Sequence, residues 1–174
     1  FEAVIKKHGI PTMSFPHCTA RLKREVIESY LKKQGWKIKT YKMAVGIRAD
    51  EADRMSPYGI ERGCVYPLVT WGWNKDMVNA ECARWGFDLQ IPGDHFGNCV
   101  WCWKKSLRKL MTLSKEDPSV FDFPRRMEKK YRSVKCKNGE DRLFFRGNRT
   151  VNDIFEEAKK PFAPYKDSTQ MNIF

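Results

Sequence analysis

The amino-acid sequence predicts an α/β fold, in which strands alternate with helices along the chain. Segment 41–48 (YKMAVGIR) alternates large apolar with small residues, which is typical of a strand buried between helices. Segments 19–33 and 74–85 instead carry apolar residues at helical spacing, and each is closed by a glycine, Gly35 or Gly86. Only two or three strands are evident, so we expect further strands to come from another segment or another chain.

The remaining elements are placed by caps and apolar spacing. Thr19, Asn74 and either Thr150 or Asn152 precede helical patterns as N-caps. Helices are expected over 2–8, 19–33, 74–85, 100–113, 120–131 and 151–160, a second strand over 64–69, and a hairpin over 135–147 that turns at Asn138-Gly139. We expect three divisions: an α/β portion over 1–113 with the cysteine site, a helical and hairpin extension over 114–160, and a tail over 161–174.

The charge of the chain limits the kinds of partner it can have. Its 174 residues include 33 Lys and Arg against 21 Asp and Glu, which gives a net charge of +12. A balance this basic favours nucleic acid, a nucleotide or a phosphosulfate, and the alternative is a basic surface without such a partner. No stretch approaches the ~20 apolar residues of a membrane span, and no N-terminal segment resembles a secretion signal. We therefore expect a cytoplasmic protein without a membrane partner.

Two of the six cysteines form the motif Cys99-Val-Trp-Cys102, which puts two thiols one turn apart where a loop enters a helix. Cys18 has a matching position just ahead of another helix. In a chain without an export signal, thiols placed in this way favour an iron–sulfur cluster or zinc over a disulfide scaffold. The alternatives for the motif are a redox pair, or two core cysteines beneath Trp101 and Trp103.

The sequence defines a fourth metal ligand less clearly. Cys64, in the loop that enters the second strand, is the candidate, whereas Cys82 fits a small hydrophobic position in a helix and Cys136 adjoins a charged turn. His17 and His95 are neighbours of the expected ligands. Each is a candidate for capping the site, and the alternative is an ordinary hydrogen bond within a loop.

Two groups of charged residues are candidates for binding phosphate or sulfate. Arg48, Glu51 and Arg54 follow the first strand, at the end where open α/β folds bind ligands, so one arginine can meet phosphate while Glu51 orients the other. A surface salt-bridge network is the alternative. The second group lies in the helices that follow the thiols, where the alternative is a solvated helix face: Arg21, Lys23, Lys104, Lys105, Arg108 and Lys109.

Four motifs together resemble the phosphoadenosine phosphosulfate (PAPS) reductase family, and most closely its phage-encoded members. The resemblance covers roughly residues 1–155. It is carried by Cys18-Thr19 with Leu22-Lys23, Gly46-Ile47-Arg48 with Glu51 and Arg54, Tyr66-Pro67-Leu68, and Gly97-Asn98-Cys99 with Cys102.

The resemblance implies both a fold and a site. The fold would be the C-terminal part of an adenine nucleotide alpha hydrolase-like domain, with a doubly wound, mostly parallel sheet and a helical C-terminal extension. Cys18, Cys99 and Cys102 would be ligands of a 4Fe-4S cluster, with zinc as the alternative metal. The nucleotide or its sulfonated group would be contacted by Arg21, Lys23, Arg48 and Arg54, beside Lys104 and Lys105.

The chain departs from the family pattern in three ways. It has no phosphate-binding loop of the SGGKDS type, it has His17-Cys18 where reductases often have a cysteine pair, and it has no nucleophilic cysteine near its end (QMNIF). We therefore expect reduction of a sulfonucleotide or sulfur transfer that depends on an ATP-loop segment in the same polypeptide or in a protein partner. The alternative function is a non-catalytic module that binds nucleic acid or a complex and uses its metal structurally.

Overall fold

Helices form about half of the part of the chain that the computed structural model describes, which is residues 1–37, 40–87, 90–136 and 141–166. A π-helix at Ala20–Arg24 and 3₁₀ turns at Ala49–Arg54 and Pro118–Phe121 connect the longer elements. The α-helices are α1 (Glu2–His8), α2 (Glu25–Lys33), α3 (Pro57–Glu61), α4 (Pro67–Thr70), α5 (Lys75–Arg84), α6 (Leu107–Glu116), α7 (Asp122–Tyr131) and α8 (Val151–Lys159).

The expected doubly wound, mostly parallel sheet is wrong. Within the described residues the sheet has two parallel strands of two residues each, β1 (Met43–Ala44) and β2 (Cys64–Val65). Strand β1 stops early because the N–H of Ile47 bonds to the carbonyl of Val45 at 2.9 Å, a tight turn that diverts the chain. Strand β2 stops because Pro67 lacks an N–H and starts helix α4.

The chain divides into two compact units, and each is described by itself. The first unit comprises Phe1–Lys23 and Ile91–Phe174, and the second comprises Arg24–Gln90. The divisions expected at residues 113 and 160 separate a family-like portion from its extension and tail. The division into compact units does not test them, so they stay a prediction.

The first unit has a well-packed aromatic core. Helix α6 packs against α8, and the ring of Trp101 packs against those of Phe1 (5.5 Å) and Phe123 (4.8 Å), which also contact each other (5.9 Å). The fully or nearly fully buried apolar residues are Ile5, Ile10, Trp103, Leu110, Leu113, Phe121, Met127, Phe144, Phe145, Val151 and Ile154. The C-x-x-C motif therefore lies on a rigid aromatic base, since its Trp101 and Trp103 both take part in this packing.

A half-buried carboxylate connects helix α8 to helix α7. The Glu128 carboxylate, on α7, accepts hydrogen bonds from the N–H groups of Val151 and Phe144 at 3.1–3.3 Å. Thr150 and Asp153 complete a capping box at the start of α8. Three of the four N–H groups that lack a partner inside the helix, those of Thr150, Val151 and Asp153, thus bond to side chains, and the helix begins where the sequence predicted it.

The second unit holds its apolar residues near the surface. None of its described residues is buried, and large apolar side chains such as Val26, Tyr30, Trp71 and Trp85 are more than half exposed. Parallel sheets are usually covered on both faces. The sheet of this unit therefore lacks the covered faces that usually stabilise parallel strands, and two strands alone are only marginally stable.

Several predicted helices are confirmed, with changed ends. Helices α1, α5, α7 and α8 lie where expected, and Gly9 and Asn74 stop and cap them as predicted. The helix expected from residue 100 begins instead at Leu107, because Ser106 caps it. The expected turn at Asn138-Gly139 and residues 167–174 of the tail lie outside the described residues. Across the described ranges, no helix has the length and apolar character needed to cross a bilayer.

Candidate functional site

Cys18 is positioned by a tight loop that leads into the π-helix. The N–H of His17 bonds to the Phe15 carbonyl at 3.0 Å, and the carbonyl of His17 accepts the N–H of Arg21, so helical bonding starts at Cys18. The side chain of Cys18 is half-buried and packs against the core of the first unit. The Cys18 thiol is thus held by backbone bonds on both sides.

His17, next to Cys18, is buried with an incomplete set of partners. It is only 7% exposed, and its Nε2 lies 3.0 Å from the Gly9 carbonyl oxygen, while its Nδ1 has no hydrogen-bond partner among the described residues. Burial lowers the pKa of His17, against the opposing effect of the Gly9 carbonyl, so the neutral ring is favoured. The Nε2–H then donates to Gly9, and Nδ1 carries the lone pair.

The C-x-x-C motif forms two consecutive turns rather than the expected first turn of a helix. The N–H of Cys102 bonds to the Cys99 carbonyl at 2.8 Å, and the N–H of Lys105 bonds to the Cys102 carbonyl at 2.9 Å. Asn98 has a left-handed φ of 61°, a conformation that asparagine tolerates better than most residues. The two thiols therefore project from one short, backbone-bonded segment that precedes α6.

The three predicted thiol ligands of the first unit share one electrostatic environment. All six cysteines are free thiols; Cys99 is exposed, and Cys18 and Cys102 are half-buried. Partial burial raises the pKa of the Cys99 thiol most, the thiols of Cys102 and Cys18 raise it further, and the ammonium groups of Lys23 and Lys105 oppose this. Ionising one thiol beside the others is costly, and a bound cation would remove that cost.

Lys105 connects this segment to the preceding loop. Its ammonium donates to the carbonyl oxygens of His95 (2.7 Å) and Gly97 (2.6 Å). Burial lowers the pKa of Lys105 most, while the thiols of Cys102 and Cys99 raise it. Lys105 therefore brings a partly desolvated positive charge to the thiols and also holds the loop that carries His95.

The buried ring of His95 pairs with an exposed acidic residue of α6. Its Nε2 lies 2.5 Å from a carboxylate oxygen of Glu116, and the ring is only 8% exposed. Its Nδ1, like that of His17, has no hydrogen-bond partner in the described part of the chain. Because Glu116 already engages one ring nitrogen, only Nδ1 of His95 is left to serve as a cap for a bound group.

The three thiols are of a kind that binds metals, although they are not arranged around a common point as metal ligands would be. Within residues 1–37, 40–87, 90–136 and 141–166, no three Cys, His, Asp or Glu side chains form a ready-made metal-binding group. Three free thiols with basic neighbours are nevertheless the soft donors that iron–sulfur clusters and zinc take. Cys64, the predicted fourth ligand, lies on β2 in the second unit.

The predicted phosphate-binding turn is present in the second unit as a network of ion pairs. Arg48 bonds to Asp50 at 3.0 and 3.1 Å and lies 3.3 Å from Glu51, and Arg54 bonds to the other oxygen of Glu51 at 2.5 Å. The Arg48 guanidinium holds the pKa of the Asp50 carboxyl below its usual value. The structure thus brings Arg48, Glu51 and Arg54 together, and a phosphate there would compete with these carboxylates.

The remaining predicted basic residues lie in the first unit. Lys23 acts electrostatically on Cys99, Arg21 lies in the π-helix, and the ammonium of Lys104 lies 5.2 Å from the centre of the Trp103 ring. On α6, Lys109 is 4.3 Å from the Tyr165 ring and lowers the pKa of Lys105. Lys23 and Lys105 are therefore the two lysines that the structure associates with the thiols.

Sequence reasoning missed an aromatic pocket in the second unit. Its indole rings come from Trp71 and Trp73, in the turn after α4, and from Trp85 at the end of α5. The signal that could have found it is the Trp71-Gly-Trp73 pair followed, across one short helix, by a third tryptophan.

The fold and site define a largely helical protein with a basic, thiol-bearing segment in one unit and an indole-lined pocket in the other. It is 34% identical over 120 residues, 69% of the chain, to the uncharacterized nin region protein ORF290 of Escherichia phage lambda. The matched segment spans 40% of the length of that relative. No protein-family profile matches the chain, and no solved structure matches it.

Proposed function

We propose that this chain is a PAPS reductase-like iron–sulfur protein that handles an adenine nucleotide and activated sulfur. The observation that carries the proposal is the placement of Cys99 and Cys102 on two consecutive hydrogen-bonded turns that end at Lys105, whose charge opposes the cost of ionising Cys99. The motif resemblance supports the same assignment. The similarity to a protein of phage lambda fits the expectation that the chain is of a phage-encoded type.

Under this proposal Cys18, Cys99 and Cys102 hold a 4Fe-4S cluster, and zinc is the alternative metal. A bound cluster would supply electron-transfer or Lewis-acid chemistry beside the substrate. The thiols provide the ligands, and their aromatic base under Trp101 keeps the C-x-x-C turns in place. Cys64, the fourth ligand that the sequence predicts, lies in the second unit and stays a prediction.

The basic residues would bind the anionic substrate. Lys23 and Lys105 offset negative charge at the thiols, and Arg21 and Lys104 extend the positive charge of the first unit. One of Arg48 and Arg54 would release its carboxylate partner and bind phosphate or sulfonate instead. Glu51 would stay bound to the other arginine and orient it. The chemistry is reduction of a sulfonucleotide such as PAPS by an external reductant, or transfer of sulfur.

Full activity is proposed to require an ATP-loop segment in the same polypeptide or in a protein partner. The 174 residues contain no glycine-rich SGGKDS-type loop. The lambda relative is considerably longer than the segment that this chain matches, which leaves room for such a segment in that protein. We place the protein in the cytoplasm, where thiols stay reduced.

The test is anaerobic purification followed by a UV–visible spectrum and iron, sulfide and zinc analysis. We expect a broad absorbance near roughly 400 nm and about four irons per chain. Cys18→Ser, Cys99→Ser and Cys102→Ser should each lose most of the iron, and Cys64→Ser tests the fourth ligand. Cys136→Ser is the matched control, because a serine hydroxyl can keep the bond that the Cys136 thiol donates to the Arg132 carbonyl at 3.0 Å.

A colourless protein with one zinc that depends on the same cysteines would instead favour a structural metal. Metal content that is unaffected by all three ligand substitutions would contradict the proposal. In that case the three thiols are neighbours for a reason unrelated to metal binding.

A second candidate function, a module that binds nucleic acid or a complex without catalysis, is favoured by the charge distribution. The first unit has 22 Lys and Arg against 12 Asp and Glu, and the second has 11 against 9. The positive charge is thus concentrated in the unit that carries the thiols. A steep loss of DNA or RNA affinity with added salt would support this candidate, whereas selective binding of an adenine nucleotide or PAPS would support the first.

A further inference from the structure

The second unit contains a pocket that three tryptophans help to line. The cavity has a volume of about 570 Å³ and is lined almost wholly by apolar atoms. This volume lies within the ~300–1,000 Å³ of typical small-ligand sites. The lining residues are Leu68, Trp71, Trp73, Val78, Glu81, Cys82 and Trp85.

Two of the three indoles are mostly exposed, and Trp73 is half-buried. Trp71 is 63% exposed and Trp85 is 70% exposed, and the ring centres of Trp71 and Trp73 lie 5.8 Å apart at an angle of 57°. Leaving large aromatic faces in water is unfavourable. An occupant that offers a flat ring face to these indoles would remove this cost.

Bonds from the backbone and from Glu81 hold the pocket in shape. The carbonyl of Trp73 accepts the N–H of Ala49 at 2.8 Å, and the N–H of Trp73 bonds to the Leu68 carbonyl at 2.8 Å. Hydrogen bonds from Arg84, and to a lesser degree from Trp85, lower the pKa of the Glu81 carboxyl.

The charges at the rim decide between two classes of ring-binding ligand. Indole cages beside a carboxylate often bind organic cations. Here, however, Arg84 already bonds to both oxygens of Glu81, at 2.9 and 2.5 Å, and neutralises that carboxylate. A neutral ring attached to an anionic backbone fits better, because this unit has 11 Lys and Arg against 9 Asp and Glu and therefore a small positive excess.

We propose that the Trp71–Trp73–Trp85 pocket binds an unpaired nucleobase by stacking. Base–indole stacking tolerates any base and needs few polar groups, in agreement with the apolar lining. The base can come from a free nucleotide or from a single-stranded nucleic acid. The inference rests on the nucleotide- or nucleic-acid-binding part of the proposed function and is independent of the thiol site.

The experiment measures fluorescence anisotropy of a labelled oligodeoxythymidylate about 12 nucleotides long, within the ~4–16-nucleotide footprints of single-strand-binding folds. An abasic strand of equal length and charge, at the same salt concentration, isolates the contribution of the bases. We expect Trp71→Ala and Trp85→Ala each to weaken binding of the oligodeoxythymidylate by about fivefold or more. Both variants should bind the abasic strand as the wild type does.

Trp36→Ala is the matched control, because Trp36 is also an exposed tryptophan of the second unit (51%) but does not line the pocket. It should stay within about twofold of the wild type. Quenching of tryptophan emission in the wild-type chain by the oligodeoxythymidylate, but not by the abasic strand, provides a reading that requires no substitution. Circular dichroism verifies that each variant is folded.

Adenosine 5′-monophosphate then distinguishes the two sources of the base. Displacement of the labelled strand by this nucleotide identifies a free nucleotide as sufficient, and base-dependent strand binding without displacement identifies a polynucleotide. The proposal is overturned if the abasic strand binds as tightly as the oligodeoxythymidylate, or if Trp71→Ala and Trp85→Ala bind both strands like the wild type. Because metal content is measured separately, failure here does not affect the thiol site.

Discussion

Lys105 donates a hydrogen bond from its ammonium group to the backbone carbonyl of His95 at 2.7 Å. The same nitrogen donates a second bond to the Gly97 carbonyl at 2.6 Å, so the lysine connects this loop to the C-x-x-C turns. The charge of Lys105 also acts on Cys99 and Cys102. One side chain therefore determines both the shape and the electrostatics of the thiol segment.

Replacing this lysine should change stability and thiol reactivity together. Lys105→Met removes two hydrogen bonds from a charged donor, and we expect a loss of about 1–3 kcal/mol in the free energy of unfolding. The pKa of Cys99 should rise further because Lys105 no longer opposes the increase. Urea unfolding measures the first effect. The second is measured by the pH dependence of Cys99 alkylation, followed by peptide mass spectrometry.

Lys104→Met is the control for this prediction. Lys104 is exposed, and its ammonium lies over the Trp103 ring instead of bonding to a backbone carbonyl. We expect a change in stability within about 0.5 kcal/mol and little change in the alkylation profile. Equal losses in the two variants would show that the His95 and Gly97 bonds do not contribute to stability.

Glu128 should make the stability of the chain depend on pH. Burial raises the pKa of this carboxyl above its ordinary value of 4.5, although the N–H groups of Val151 and Phe144 oppose the shift. Between 4.5 and the raised pKa the native state binds more protons than the unfolded state. The contribution is therefore fully present below 4.5 and is lost as the pH rises through the raised pKa.

Two variants separate the charge of Glu128 from its hydrogen bonds. Glu128→Gln keeps an acceptor for Val151 but cannot ionise, so its stability relative to the wild type should increase as the pH rises through the raised pKa. Glu128→Ala leaves buried N–H groups without a partner, and we expect a loss of about 1–3 kcal/mol. Urea unfolding over a pH series measures both, with the exposed Glu156→Gln as control. A parallel pH dependence for wild type and Glu128→Gln would contradict the prediction.

Local chemistry made part of the fold predictable. Gly9, Asn74 and Thr150 act on the backbone within a few residues, through a left-handed φ or a side-chain cap, and the helices they limit were placed correctly. The sheet was not predictable in this way. Whether segment 41–48 forms a long strand depends on the strands that pair with it. Within the described residues its partner is β2, which is two residues long.

The site shows the same division. The grouping of Cys99 and Cys102 follows from their spacing, and the association of Arg48 and Arg54 with Glu51 follows from their proximity in one turn. The electrostatic coupling of Cys18 to Cys99 joins segments about 80 residues apart, and for this pair the sequence offered only the matching positions ahead of helices and the motif resemblance. The backbone bonds of Lys105 had no signal in the sequence, because any lysine can reach a carbonyl when the fold presents one.

Gly9 should tolerate alanine much less than Gly35, although both have a left-handed φ (83° and 85°). A Cβ on Gly9 would lie 2.5 Å from the Val134 carbonyl oxygen and 2.7 Å from a guanidinium nitrogen of Arg142, whereas one on Gly35 would meet nothing within 4 Å. Backbone strain alone costs about 1–2 kcal/mol at each position. We therefore expect Gly35→Ala to lose about that much in urea unfolding and Gly9→Ala to lose clearly more, by about 1 kcal/mol or above.

The same substitution should be felt at the thiol site, because the Gly9 carbonyl is the partner of His17 Nε2 and His17 precedes Cys18. In Gly9→Ala the backbone must shift away from Val134, which lengthens or breaks the bond that fixes the His17 ring. Nitrogen NMR of the imidazole should then show a changed tautomer balance in Gly9→Ala and the wild-type balance in Gly35→Ala. Equal stability losses in the two variants, with unchanged His17 signals in both, would mean that the close approach of Gly9 to Val134 does not constrain this loop.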